Sequence, residues 1–418
     1  MDIKEKDRDI LRKLAEEKTK IASFSIHKQT ISEWKRINEI KKGKPVIYIT
    51  EIPWNEMNVN DELTVSCEDN FLQYIEFWEL RTQIYQWKRM PADMVIENIV
   101  YCPIVIKNTG FGIKPVYDDI IDNEKEEIAQ RHFHQQIKKE KDIEKIKMPE
   151  ISVEWEETEK RFQMLNEIFG DIIKVEKRGI SAQSFSPWDI LITWYGVQEA
   201  LMDLALNPEI LHLIVDKITS GFLYQLEQYE KLGVLSLNNG NICVGSGGPG
   251  YTDLLPQKDF NPNHIRPIDQ WASAASPIFS EVSPRMHEEF ALQYEKKWLE
   301  KFGLTYYGYR EPLHNKIEIL KNIKNLKKIS VSPRADIEKS IEKIGTDYVF
   351  SYKPNSAILA KDQWDIESIK KDLSATIEKI TKSGCICEII MEDINTVHHQ
   401  PQRLWEWAKI VKEIVGQD

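Results

Sequence analysis

The residues of this 418-residue chain best suited to chemistry sit at the ends of apolar runs. Glu51 lies near the end of PVIYITEIPW, Glu97 follows MVI, and Asn238 with Asn239 closes GVLSLNN. Glu311 closes TYYGYRE, Ser332 and Arg334 end LKKISVSPR, Lys353 ends DYVFSYK, and Glu392 with Asp393 ends CEIIMED. Burying a carboxylate or an ammonium group is costly unless it is paired or used. A set of ionisable groups at successive strand ends therefore points to an active site.

Three combinations stand out. Glu311 is followed by His314, and an acid and an imidazole this close could share a proton or a metal ion; His314 could equally sit at a helix start with its polar atoms satisfied. Arg310, Arg334 and Lys353 come from three successive strand ends and could form a cationic pocket for a carboxylate or phosphate. They could also pair with Glu311, Asp336 and Glu392, and both arrangements could hold together. GSGGPGY (245–251) lacks the Lys-Ser/Thr of a phosphate loop and reads as a flexible active-site loop. Cys385 and Cys387 share one strand face at the start of a strand and read as core packing. Adjacent His398 and His399 diverge too far for joint ligation.

The elements that must position these residues alternate. Strand patterns at 305–312, 326–333, 347–354 and 387–394 are separated by amphipathic helices, and earlier strand patterns precede them. Strand–helix alternation implies parallel strands with right-handed crossovers. Some eight or nine strand candidates suit an α/β fold of the (β/α)₈ TIM-barrel type, with the active site at the carboxyl ends of the strands. Residues 1–44 read as an N-terminal helical extension and 45–418 as the barrel. Residues 115–150, dense in Asp, Glu and Lys, read as a solvated helical insertion, with the His132-x-His134 pair on a solvent-facing helix side.

Composition bounds the class. The net charge of -11 disfavours nonspecific binding to nucleic acid or to an anionic membrane. Five cysteines, an odd and low number, read as reduced thiols. The charged amino terminus has no apolar core of the kind a signal peptide needs, so a cytoplasmic location is expected.

Long strings of the chain resemble the uroporphyrinogen decarboxylase superfamily, and within it a methyltransferase-like branch from anaerobic bacteria. They include KPVIYITEIPW, SPWDILITWYG, LSLNNGN with VGSGGPGYTDLLP, SPRMHEEFALQYEKKWLEKFGLTYYGYREPLHNKI and ISVSPRADIEKSIEKIGTDYVFSYKPN. The resemblance implies a TIM-type barrel. Its members include metal-free decarboxylases and zinc enzymes that exchange methyl groups with a corrinoid protein. Relatives carry two cysteines where this chain has Tyr309 and Arg310, and often Trp where it has Arg334. The thiol-type zinc site therefore does not carry over, and His287, Glu311 and His314 remain as a possible ligand set.

The expected function is transfer of a methyl group from a small O- or N-methylated substrate to a corrinoid partner protein, and the arginines would suit an anionic substrate. In this reading Glu311, His314, Glu97 and Asp393 are catalytic, and Asn239, Tyr309, Arg310, Arg334 and Lys353 bind substrate. A homodimer is compatible with it. The alternatives are a metal-free decarboxylase or lyase acting on a carboxylated substrate, and a catalytically lapsed binding protein.

Overall fold

The structure is a computed structural model and describes residues 3–120 and 130–416. The chain opens with α1 (Glu5–Ala22) and α2 (Ile26–Asn38), followed by β1 (Val46–Ile49). A continuous helical segment, α3 (Asn70–Tyr74) and α4 (Thr82–Arg89) joined by a π-helical stretch, leads to β2 (Ile99–Pro103) and β3 (Ile106–Asn108). Then come β4 (Tyr117–Ile120), β5 (Gln130–Phe133), β6 (Ile151–Val153), α5 (Trp155–Phe169), β7 (Lys174–Arg178) and β8 (Ser184–Phe185). Helices α6 (Pro187–Tyr195), α7 (Val197–Leu206) and α8 (Pro208–Lys231) precede β9 (Trp271–Ala274). The remainder alternates: α9 (Pro284–His287) and α10 (Gln293–Leu299), β10 (Leu304–Tyr307), α11 (Ile317–Leu320), β11 (Leu326–Val331), α12 (Ile337–Ile344), β12 (Val349–Tyr352), α13 (Ile366–Lys382), β13 (Ile386–Met391) and α14 (Gln402–Val415).

Seven strands form one all-parallel sheet in the order β1-β13-β12-β11-β10-β9-β8. The expected closed eight-stranded barrel is thus seen as an α/β sheet of TIM-like character. Among the described residues no strand ladder joins β1 to β8. Irregular segments make contacts beside both edge regions instead. Asp93 exchanges two hydrogen bonds with Ile47 of β1, and Asn238 donates to the carbonyls of both Ser181 and Trp271.

Strand alternation divides the side chains between two faces. Cys387, Ile389 and Met391 of β13 pack in one core with Ile377 and Ile380 of α13 and Trp407 and Val411 of α14. The opposite face carries Val46, Val349 and Ile390, which pack with Trp34 and Ile37 of α2 and with Tyr251. The glycine-rich stretch, expected as a flexible loop, is part of this second core, and residues 246–251 are buried. Its glycines admit backbone where no side chain would fit: a Cβ on Gly248 would lie 2.1 Å from the Trp34 ring, and one on Gly247 2.7 Å from Glu388.

The acidic and basic insertion also departs from expectation. Its described part holds an antiparallel ribbon in which β4 pairs with β5 and a short 3-10 helix at Glu140–Lys145, with no α-helix, while 121–129 lie outside the described residues. Tyr117 faces Phe133 across the ribbon, edge to face at 5.8 Å, and Arg131 covers the Tyr117 ring. Such cross-strand aromatic pairs favour a hairpin over a helix. Among the described residues no helix is long and apolar enough to cross a membrane.

Candidate active site at the carboxyl ends of the strands

The ends of β1, β10 and β13 meet around Arg310. Its Nη2 lies 2.8 Å from Oδ1 of Asp393 and 3.3 Å from Oε2 of Glu51. The guanidinium also covers the Tyr309 ring, with Cζ 4.4 Å from the centroid, and Tyr309 Oη donates to Oε1 of Glu51 at 2.8 Å. Arg334 reaches in from the end of β11 and donates to the Arg310 carbonyl at 3.2 Å. Arg310 and Glu51 are roughly two-fifths exposed at their side chains, so this clamp is open to a ligand.

Beside the clamp lies a cavity of about 310 Å³ whose lining includes Arg310, Ser332, Arg334, Lys353, Glu392 and Asp393. The three cations read from successive strand ends therefore do converge. They are also partly compensated, as the second expectation held: Lys353 by the expected Glu392, the two arginines not by the expected partners. Arg310 is matched by Glu51 and Asp393 rather than Glu311, and Asp336 faces Lys339 rather than Arg334. Lys353 and Glu392 lie 3.8 Å apart, both almost wholly buried. Burial pushes the Glu392 carboxyl up to about 7 against the opposing charge of Lys353, and its Oε2 has no hydrogen-bond partner. A carboxyl poised near neutrality in the wall of a hollow can give or take a proton.

Glu311 has a different place. It is fully buried and accepts the backbone N–H of Tyr309 at 3.0 Å and of Ser276 at 3.3 Å. It shapes the turn that presents Tyr309 and Arg310. Beneath it, Ser276 and Tyr307 donate to Glu295 at 2.6 and 2.5 Å, and Nε2 of His287 lies 2.6 Å from Tyr307 Oη. Burial raises Glu295 to about 7 and lowers His287 to about 3, so the imidazole is neutral. Glu295 was not legible as a site residue because it lies within a helix, where strand-end reasoning does not reach.

Other expected site residues stand apart from the clamp. Glu97 precedes β2 rather than ending a strand, and accepts from Tyr101 Oη at 3.1 Å. Asn239 donates to the Leu255 carbonyl at 2.7 Å, a loop-fixing bond. His314 feels Asp336, Lys339 and Lys343 of the α12 region, and burial lowers its pKa. His287, Glu311 and His314 are not brought together as a ligand set: among the described residues no three His, Cys, Asp or Glu side chains are placed to hold a metal ion. The described residues at this site therefore present no zinc ligand set.

No protein-family model and no curated protein matches the chain. Among solved structures it is similar to a methyltransferase from Methanosarcina mazei, with a TM-score of 0.51 and 10% sequence identity. The likeness covers 92% of this chain and 98% of that one. At that identity it establishes a shared fold, with similarity running through nearly the whole of both chains.

Proposed function

We propose that the chain is a methyltransferase of the uroporphyrinogen decarboxylase superfamily that moves a methyl group from a small O- or N-methylated substrate to a corrinoid carried by a partner protein. The observation that carries the reading is Glu392, a carboxyl that burial pushes up to about 7 and whose Oε2 accepts no hydrogen bond, lining a hollow together with Arg334 and Lys353. The end-to-end fold likeness to a methyltransferase supports the choice of reaction.

An ether oxygen or amine leaves poorly as an anion, so it must gain a proton as its bond to methyl breaks. Glu392 supplies that proton. The methyl carbon leaves to the acceptor, whose electron pair forms the new bond, and the C–O or C–N pair stays on the leaving atom. Glu392 is then reprotonated from solvent. Arg334 and Lys353 hold an anionic part of the substrate. Arg310, matched by Glu51 and Asp393, keeps Tyr309 at the mouth, and Glu311 fixes the turn that carries both.

Incubation with a cobalt(I) corrinoid protein and a panel of methoxylated and N-methylated acids tests this. A methyl-cobalt absorption band is expected with wild type and its loss with Glu392→Gln. Absence of the band with every donor and acceptor pair would refute the reading. The cluster of cations favours one alternative, a metal-free decarboxylase in which Arg334 and Lys353 bind a carboxylate and Glu392 protonates the carbanion. Carbon dioxide release from a carboxylated substrate without any corrinoid would establish that instead.

A further inference from the structure

Below Glu392, the second sheet face carries charged and hydroxyl side chains where an apolar layer is usual. Lys328 of β11 and Glu388 of β13 are fully buried, with Nζ 2.8 Å from Oε2. Ser351 of β12, paired directly with Glu388 in register, donates to its Oε1 at 2.7 Å. Tyr306 Oη donates to Ser351 Oγ at 3.1 Å. Because the tyrosine proton is spent on Ser351, the 3.0 Å contact between Ser246 and Tyr306 has Ser246 as donor. The hydroxyls thus run in one direction, from Ser246 through Tyr306 and Ser351 to the Glu388 carboxylate.

Lys353 sits at the open end of this chain. Its Nζ donates to the Ser246 carbonyl and lies 5.7 Å from the centre of the Tyr306 ring. Burial works against its charge, but Tyr306, Glu392 and Glu388 outweigh that and hold its pKa above the ordinary value. Burial likewise disfavours the Glu388 carboxylate, and Lys328 with Lys353 holds it ionised. Desolvating two ions and three hydroxyls is expensive, and a core of this kind is no requirement for stability.

We infer that Glu388, with Lys328, Ser351 and Tyr306, is a positioning element: it fixes the Lys353 ammonium beside Glu392 and so sets the pH at which the Glu392 carboxyl holds its proton. The inference rests on Glu392 being the proton donor only for its effect on turnover; its effect on Glu392 itself is independent of the reaction.

Two variants break the chain while keeping its shape, Tyr306→Phe and Ser351→Ala. The Glu392 carboxyl is followed by infrared titration of the full chain, its band identified by difference from Glu392→Gln. Glu392 also feels Glu51, Arg310 and Asp393, which neither variant touches; with Lys353 less firmly held it loses opposing charge, so its midpoint should move up by about one pH unit in either variant. If turnover depends on Glu392, the basic limb of the kcat profile moves by the same amount. An unmoved midpoint in a folded variant overturns the inference. A moved midpoint with an unmoved kcat profile upholds it and refutes instead the proton-donor reading. If Tyr306→Phe fails to fold, Ser351→Ala, which removes one oxygen from a buried site, decides alone.

Discussion

Asp393 donates its backbone N–H to Oε2 of Glu51 at 2.9 Å, and both residues stand in the left-handed region of backbone space, at φ 54° and 50°. They end neighbouring strands, β13 and β1. Side chains other than glycine occupy this region at a cost of about 1–2 kcal/mol each. Here both strained residues aim carboxylates at Arg310. The strain is held by the contacts of the clamp, which is what a site that must keep one geometry would show.

Glu51→Gly separates strain from function. Glycine adopts a φ of 50° freely, so the relief offsets the lost exposed contacts, and stability should stay within about 1 kcal/mol of wild type in urea unfolding. Arg310 and Tyr309 lose their common partner, and kcat/KM for the proposed methyl transfer should fall about tenfold to a hundredfold. Full activity in the folded variant would reduce the clamp to a structural feature.

Glu295 links stability to pH. Its folded pKa of about 7 stands above the ordinary 4.5, so between those values the folded chain holds a proton that the unfolded chain has lost. The stabilising contribution is complete below 4.5 and disappears as pH rises through 7, a loss of about 3 kcal/mol. His287, lowered to about 3, gives the opposite slope below 6.5, so the total profile mixes the two. The clean measurement is the difference from Glu295→Gln. That variant should gain on wild type by about 3 kcal/mol from pH 4.5 to pH 7 and stay level above. A flat difference across the range would mean Glu295 stays ionised or is not buried.

Much of this site could be read from the strand ends. An apolar run that stops at Glu51, Lys353 or Glu392 marks both the strand and the rim, and these residues do gather there. What sequence could not supply is depth. Glu311 ends its run like the others, yet two backbone N–H groups take it out of the rim chemistry. Lys328 and Glu388 lay in plain view as charges in the middle of apolar strands, the signal of a polar interior face. The pairing of 117–120 with 130–133 was hidden because the composition there is that of a solvated helix, and cross-strand contacts such as Tyr117 with Phe133 distinguish the two.

The glycine-rich stretch is buried where its composition suggests a flexible loop, since a backbone's closeness to a distant tryptophan is a long-range fact. Gly248→Ala places a methyl group 2.1 Å from the ring of Trp34, which is fully buried and bonded through Nε1 to the Asp93 carbonyl. Overpacking should cost about 3 kcal/mol or somewhat more. Adding Trp34→Phe shrinks the ring and should return part of that loss, visible as a favourable coupling in a double-mutant cycle. Additive losses would mean the two do not touch.

The buried pair of Lys328 and Glu388 offers a test of why it exists. Lys328→Met strands a carboxylate in a dry interior and should cost about 3–5 kcal/mol, as should Glu388→Leu with the charges reversed. The double variant removes both desolvation penalties and leaves two apolar side chains of similar bulk, so its stability should return to within about 1–2 kcal/mol of wild type or exceed it. If ionic pairing here served stability, the double variant would stay as weak as the singles. If it serves Lys353 and Glu392, the double variant should fold well, yet its kcat should peak at a different pH from wild type. Equilibrium unfolding alongside the pH profile distinguishes the two, because a repacked but silent core would leave the profile where it was.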